Sequence, residues 1–260
     1  MSARDFPDTP GGVQVKLLGT SMIRESLFLL QNAISTLVVH GLAKDHEGRA
    51  VPLVFTSAPS EMQDGVCFHT TGPGLQATLP ERPPSALSPP ADGVLDMSIA
   101  DQLGAGRIGC VYAVSVSYCS VPAKVPPLVV KVTSRDRCDE LAKEAWVYEE
   151  LDECLQGVSI PRCYGRFLAE LPPRVDVLSW KRRGTTKLPI SIVLLERLGD
   201  KLPLGEPIPQ KIKDDLWGAV RDIAQMGVRN PALCYNDVLL APPSPPGLLL
   251  TRAARMIYDS

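Results

Sequence analysis

Gly104-Ala-Gly106-Arg-Ile-Gly109-Cys-Val111-Tyr-Ala-Val-Ser-Val-Ser-Tyr118, followed ten residues later by Leu128-Val-Val-Lys131-Val132, is the stretch whose reading decides the fold. Its first part is a G-x-G-x-x-G-x-V string, which two phosphate-binding architectures share. In a dinucleotide crossover the third glycine opens a helix whose N-terminus holds the pyrophosphate. Here Tyr112, Val114, Val116 and Tyr118 alternate with the smaller Ala113, Ser115 and Ser117, the period of two that marks a strand. The glycines therefore sit on a hairpin, where missing side chains let backbone N–H groups approach phosphate oxygens. A plain glycine-rich turn is the alternative, and the residues that follow separate the two.

Lys131 stands twenty positions after Val111 and is flanked by Val129, Val130 and Val132. A lysine inside an apolar strand is costly unless an anion meets its ammonium. Thirteen residues on, Glu144 falls in Arg137–Leu155, where Leu141, Ala145, Tyr148, Leu151 and Leu155 recur at helical spacing before Gln156-Gly157 stops the run. A helix glutamate facing a strand lysine makes an ion pair that would hold the lysine on nucleotide phosphates. An edge lysine that snorkels to water is the bland reading of Lys131 by itself.

Working outward, Leu95, Met97 and Ile99 alternate before the glycines, and Arg162–Ala169 and Ile190–Leu195 read as two further strands. Gln210–Met226 reads as a second helix, with Ile212, Leu216, Val220 and Ile223 on one face. Upstream, Leu27, Leu30, Ile34, Leu37 and Val38 predict an amphipathic helix within Ser26–Ala43, and Ala50–Thr56 a short strand. Prolines then crowd the chain, so Gly72–Asp92 is the expected linker.

These features resemble the eukaryotic protein-kinase-like family, and within it the divergent fungal protein-kinase-like proteins, from about Leu95 to the C-terminus. Tyr148-Glu-Glu-Leu, Ile160-Pro-Arg-Cys-Tyr-Gly165 and Leu194-Leu-Glu-Arg-Leu-Gly199 carry the likeness alongside the glycine string. The resemblance implies an α+β fold: a kinase-like N-lobe of a five-stranded antiparallel sheet plus one helix, followed by an incomplete, mainly helical C-lobe. It implies an ATP site made by Gly104, Gly106, Gly109, Val111, Val129, Lys131, Leu195, Glu196 and Leu198, with Leu195 as gatekeeper and Glu196–Leu198 as the backbone that reads adenine. The position of Val129 usually holds alanine in the family, and the larger side chain narrows the slot.

Kinase chemistry also needs an aspartate that accepts the substrate proton, and an asparagine and a second aspartate that hold Mg2+. Aligned from either flank, Asn230 falls at the family's loop histidine, Ala232 at the catalytic aspartate and Asp237 at the metal-binding asparagine. A rival register places Asp237 at the catalytic aspartate and Tyr235 at the histidine. Asp259, in Arg255-Met-Ile-Tyr-Asp259, resembles the magnesium-binding aspartate. With Lys131 and Glu144 present and alanine at the base position, the expectation is a truncated pseudokinase that binds ATP, with Mg2+ at Asp237 and Asp259. An active Ser/Thr-type protein kinase using Asp237 is one alternative, and a non-enzymatic interaction module is another. Four segments follow: residues 1–71, a linker over 72–92, an N-lobe and hinge over 93–199, and a partial C-lobe over 200–260.

The bulk composition agrees with a folded chain. Its 260 residues are 45% hydrophobic with a net charge of −2, which excludes wholesale disorder, and the 25 prolines mark connections. The only dense basic run is Lys181-Arg-Arg183, so no nucleic-acid partner is expected, while a protein partner or substrate is left open. No two of the seven cysteines stand at a zinc or redox spacing, which suits reduced thiols in the cytoplasm or nucleus. Met1–Gly12 lacks a basic leader, and Ser26–Ala43 is too short and too interrupted to span a bilayer, so neither export nor membrane insertion is expected.

Overall fold

A computed structural model describes residues 29–60, 91–133, 137–151, 155–178, 188–202, 205–225, 238–240 and 254–256. Strands β1 (Ile34–Asp45) and β2 (Ala50–Ala58) form an antiparallel hairpin. Its turn is drawn tight by Asp45, whose Oδ1 accepts the Glu47 and Arg49 N–H groups at 2.9 Å each. After 61–90 come β3 (Gly93–Ala105), β4 (Cys110–Cys119) and β5 (Leu128–Thr133), then helix α1 (Cys138–Glu150). The chain continues through β6 (Cys163–Leu171), β7 (Val175–Val177), β8 (Leu188–Glu196) and helix α2 (Gln210–Gln225). A separate two-stranded sheet pairs β9 (Val238–Leu240) with β10 (Ala254–Met256).

The large sheet runs β2-β6-β8-β5-β4-β3-β1, and the β1–β2 pairing joins its two ends, so seven strands close into a barrel. β7 is added outside the ring, on the end of β1. The β1–β3 pair is parallel, with Val38 opposite Asp96 and Val39 opposite Met97. Ser117 donates to the Asp96 carboxylate, and His40 Nε2 lies 3.2 Å from its Oδ2, so side chains bridge three neighbouring strands at this seam. The other half of the closure is antiparallel, Thr56–Ala58 of β2 against Arg166–Leu168 of β6.

Alternation on β5 and β8 sends successive side chains to two cores. Leu128, Val130 and Val132, with Ile190, Ile192 and Leu194, fill the barrel beside Leu37, Phe55, Met97 and Phe167. Val129, Val193 and Leu195 face the other way, into a second core that also holds Leu141, Ala145 and Tyr148 of α1 and Ala219 and Ile223 of α2. Lys131 has the parity of Val129, so its side chain leaves the barrel on the helix side. β5 is buried along its whole length, which is why it reads as a continuous apolar run.

Two expectations are overturned. The helix expected within Ser26–Ala43 is strand β1 from Ile34 onward. The fold is not a five-stranded sheet N-lobe followed by a mainly helical C-lobe. The expected strands β3, β4, β5, β8 and β6 do lie side by side, but β1 and β2 complete them into a closed barrel. Among the described residues there are two α-helices, and beyond Asp200 these residues form α2 and the β9–β10 pair. No helix among the described residues is long and apolar enough to cross a membrane. Nearly all of the expected linker over 72–92 lies outside the described residues.

Candidate nucleotide site

The glycine string is a hairpin tip. Gly104 pairs with Val111 and Ala105 with Cys110, and the Gly106 N–H donates to the Gly109 carbonyl at 2.8 Å to close the turn. Gly109 is required by close approach: a Cβ there would sit 2.1 Å from the Val132 carbonyl oxygen of β5. At Gly104 the same atom would meet nothing within 4 Å. The tip is also anchored. Ile108 is buried in the core beneath α1, and the Thr133 hydroxyl donates to the Ile108 carbonyl at 2.6 Å. Arg107 Nη1 meets Glu140 Oε2 of α1 at 2.9 Å, while Arg137 holds the other oxygen of that carboxylate at 2.7 Å.

Helix α1 starts with Asp139 and Glu140 in its first turn, where carboxylates oppose the positive end of the helix dipole. Its buried stripe is Leu141, Glu144, Ala145 and Tyr148, at i, i+3, i+4 and i+7. Glu144 thus occupies a core position and is wholly inaccessible to solvent. Lys131 Nζ meets its Oε2 at 2.8 Å, with the lysine side chain 8% exposed. Two charges withdrawn from water gain little net stability from each other, yet removing one is expensive because the other is left uncompensated.

Lys131 faces a cleft of about 500 Å³ between the glycine hairpin, β5 and the segment that follows β8. Gly104, Gly106 and Gly109 line it from the hairpin, Val111 and Val129 from β4 and β5, and Leu195, Glu196 and Leu198 from the end of β8 and beyond. All nine residues named from the sequence for a nucleotide therefore share one cavity, with Glu144 behind Lys131. The segment after β8 is fixed by its backbone: the Glu196 N–H donates to Arg162 O at 2.8 Å and the Arg197 N–H to Pro127 O at 2.9 Å. The Glu196 carboxylate is occupied by Arg162, accepting its N–H at 3.3 Å and lying 3.8 Å from its guanidinium.

The sequence reading missed Leu103, Pro161 and Leu239, which also line the cleft. Leu103 directly precedes Gly104 on β3, and an apolar residue next to the glycine string was the available signal. Leu239 reaches the cleft because β9 is clipped to the segment after β8. The Gly199 N–H donates to Leu240 O and the Leu240 N–H to Asp200 O, both at 2.9 Å. Asn230, Ala232, Tyr235, Asp237 and Asp259 lie outside the described residues. Among the described residues, no group of three or more His, Cys, Asp or Glu side chains is placed to hold a metal ion.

No protein-family model matches this sequence, and comparison with curated proteins finds no match. Among solved structures the chain is similar to the crystal structure of Rad53 1-466 in complex with AMP-PNP, at 15% identity and a TM-score of 0.39. The likeness covers 62% of this chain and 38% of that one, so the chain spans well under two thirds of that neighbour's length.

Proposed function

We propose that the cleft binds ATP and that the chain is a kinase-like nucleotide-binding domain that has lost phosphotransfer. The observation that carries this reading is the convergence, in one cavity, of the glycine hairpin and a lysine whose ammonium is held by a buried helix glutamate. The residues fit the ligand. A cavity of about 500 Å³ falls in the range of small-molecule sites. Val111, Val129 and Leu195 offer apolar walls for a base, and the hairpin offers backbone that phosphates can approach closely. Lys131 would supply the positive charge for the phosphates, and Glu144 would keep it from folding back into solvent. ATP would bring the γ-phosphoryl group that kinases transfer. Ala232, at the position expected for the base, can neither accept a proton nor orient a hydroxyl.

Thermal melting of the native chain with ATP, with and without Mg2+, tests the binding. A rise in Tm that is lost in Val129→Phe, which adds bulk at the wall of the slot, supports the reading; no rise in the native chain refutes it. Phosphate transfer from labelled ATP tests the second half. Transfer that disappears in Asp237→Asn would show an active enzyme and overturn the assignment of lost catalysis.

A further inference from the structure

The two N-terminal strands, which contribute no lining residue to the cleft, are fastened to the helix that carries Glu144. Just before β1, Gln31 Nε2 donates to Gln156 Oε1. The same oxygen accepts the Cys163 N–H of β6 at 2.6 Å, and Gln156 Nε2 donates to the Tyr148 carbonyl of α1 at 2.6 Å. One amide thus joins the entry to β1, the start of β6 and the last turn of the helix. Just after β2, the Ser60 hydroxyl donates to Glu149 Oε2 of α1. The preceding carbonyl, Pro59 O, accepts from Arg166 Nη1 at 2.8 Å, and the buried Arg166 donates through Nε to Ser191 of β8 at 3.2 Å.

Both ends of the β1–β2 hairpin therefore grip α1 about one turn beyond Glu144. The grip is stiff because Leu37, Val39 and Phe55 of the hairpin are fully buried in the barrel. At its other end α1 is held by the glycine loop through Arg107 and Glu140. An ion-pair contact of 2.8 Å tolerates only a small slide of the helix before the hydrogen bond is lost.

We propose that the β1–β2 hairpin is a built-in brace that sets the position of α1, with Ser60 and Gln156 acting as positioning residues for the Lys131–Glu144 pair. Its effect on ATP affinity rests on the function proposed above, while its effect on α1 is a property of the nucleotide-free protein. Ser60→Asp sets a carboxylate against Glu149 and turns the contact repulsive. Ser60→Asp/Glu149→Lys replaces it with an ion pair.

Amide hydrogen exchange on the nucleotide-free full chain decides the matter. In Ser60→Asp, exchange over 141–150 rises roughly tenfold while β5 and β8 keep their native protection, and the double variant restores the native pattern. Unchanged exchange in α1, a rise shared equally by β5 and β8, or no recovery in the double variant overturns the brace. If Ser60→Asp does not fold, Ser60→Ala removes the donor alone and is held to the same localised pattern. ATP affinity follows the exchange result, weakening about fivefold in Ser60→Asp and recovering in the double variant. A native chain that binds no ATP refutes the nucleotide site, and the exchange pattern still decides the brace.

Discussion

Replacing Lys131 with methionine takes the cation away from a carboxylate that has no access to solvent. Breaking a buried pair by removing one partner costs about 3–5 kcal/mol, because the remaining charge stays buried without that partner. The lysine side chain is 8% exposed at the cleft, which admits some water and favours the lower end of that range. For a chain of this size each kcal/mol moves Tm by about 2–4 °C, so Lys131→Met should melt roughly 6–20 °C below the native protein. Lys131→Met/Glu144→Leu removes both charges and fills the same space with apolar groups, an exchange that is often neutral or stabilising. The double variant should therefore recover most of the loss. Calorimetric melts of the three proteins without nucleotide make the comparison. A single variant within about 2 °C of native, or a double variant as unstable as the single, would refute the claim that the two side chains form a desolvated couple.

Gly109→Ala should destabilise by about 1–3 kcal/mol in chemical denaturation, since its Cβ meets the β5 backbone, whereas Gly104→Ala should stay within about 1 kcal/mol of native. Phe55→Ala should cost about 3–5 kcal/mol and Val54→Ala, exposed on the same strand, under about 0.5; a silent Phe55→Ala would mean that β2 does not belong to the barrel. Burial, then the neighbouring Cys110, pushes the Tyr112 hydroxyl up to about 12. The folded state thus holds that proton more tightly than the unfolded chain does. Its contribution is complete below the ordinary tyrosine value near 10 and is lost as pH rises towards about 12. Stability measured across that window should fall in the native chain and fall less in Tyr112→Phe.

The site was more legible in the sequence than the architecture around it. Gly104–Val111, Lys131 and Glu144 announced themselves through local patterns: a hairpin parity, an ion in an apolar strand, a helical stripe. β1 was misread for a physical reason. Its buried residues Ile34, Leu37, Val39, Leu42 and Ala43 do not keep a strict period of two, because the register shifts once after Ile34 and again between Val39 and Ala43. Gly41, at φ +77°, lies within the second shift. Irregularities of this kind make a strand imitate the three-and-four spacing of a helix. The β-branched cluster Ile34, Thr36, Val38 and Val39 was the contrary signal. Closure of the barrel was invisible for another reason: Thr56 pairs with Leu168, and nothing local at either position specifies the partner. The cleft residue Leu239 was likewise placed by a distant backbone clip, not by any motif of its own.

Closure by β1 and β2 changes what counts as a separable piece of this chain. A polypeptide beginning at Gly93 would keep every residue of the glycine hairpin and the ion pair, yet it would expose the unpaired edge of β3 on one side and of β6 on the other. Leu95, Met97 and Phe167 would lose the lid formed by Leu37, Val39 and Phe55. Open edges beside uncovered apolar surface invite strand-to-strand association between molecules. The same geometry sets an order on synthesis: β1 and β2 leave the ribosome before the other strands of the barrel but have no complete seat until β6 has followed, more than a hundred residues later. The barrel closes only through contacts of long sequence separation, the kind that form slowly.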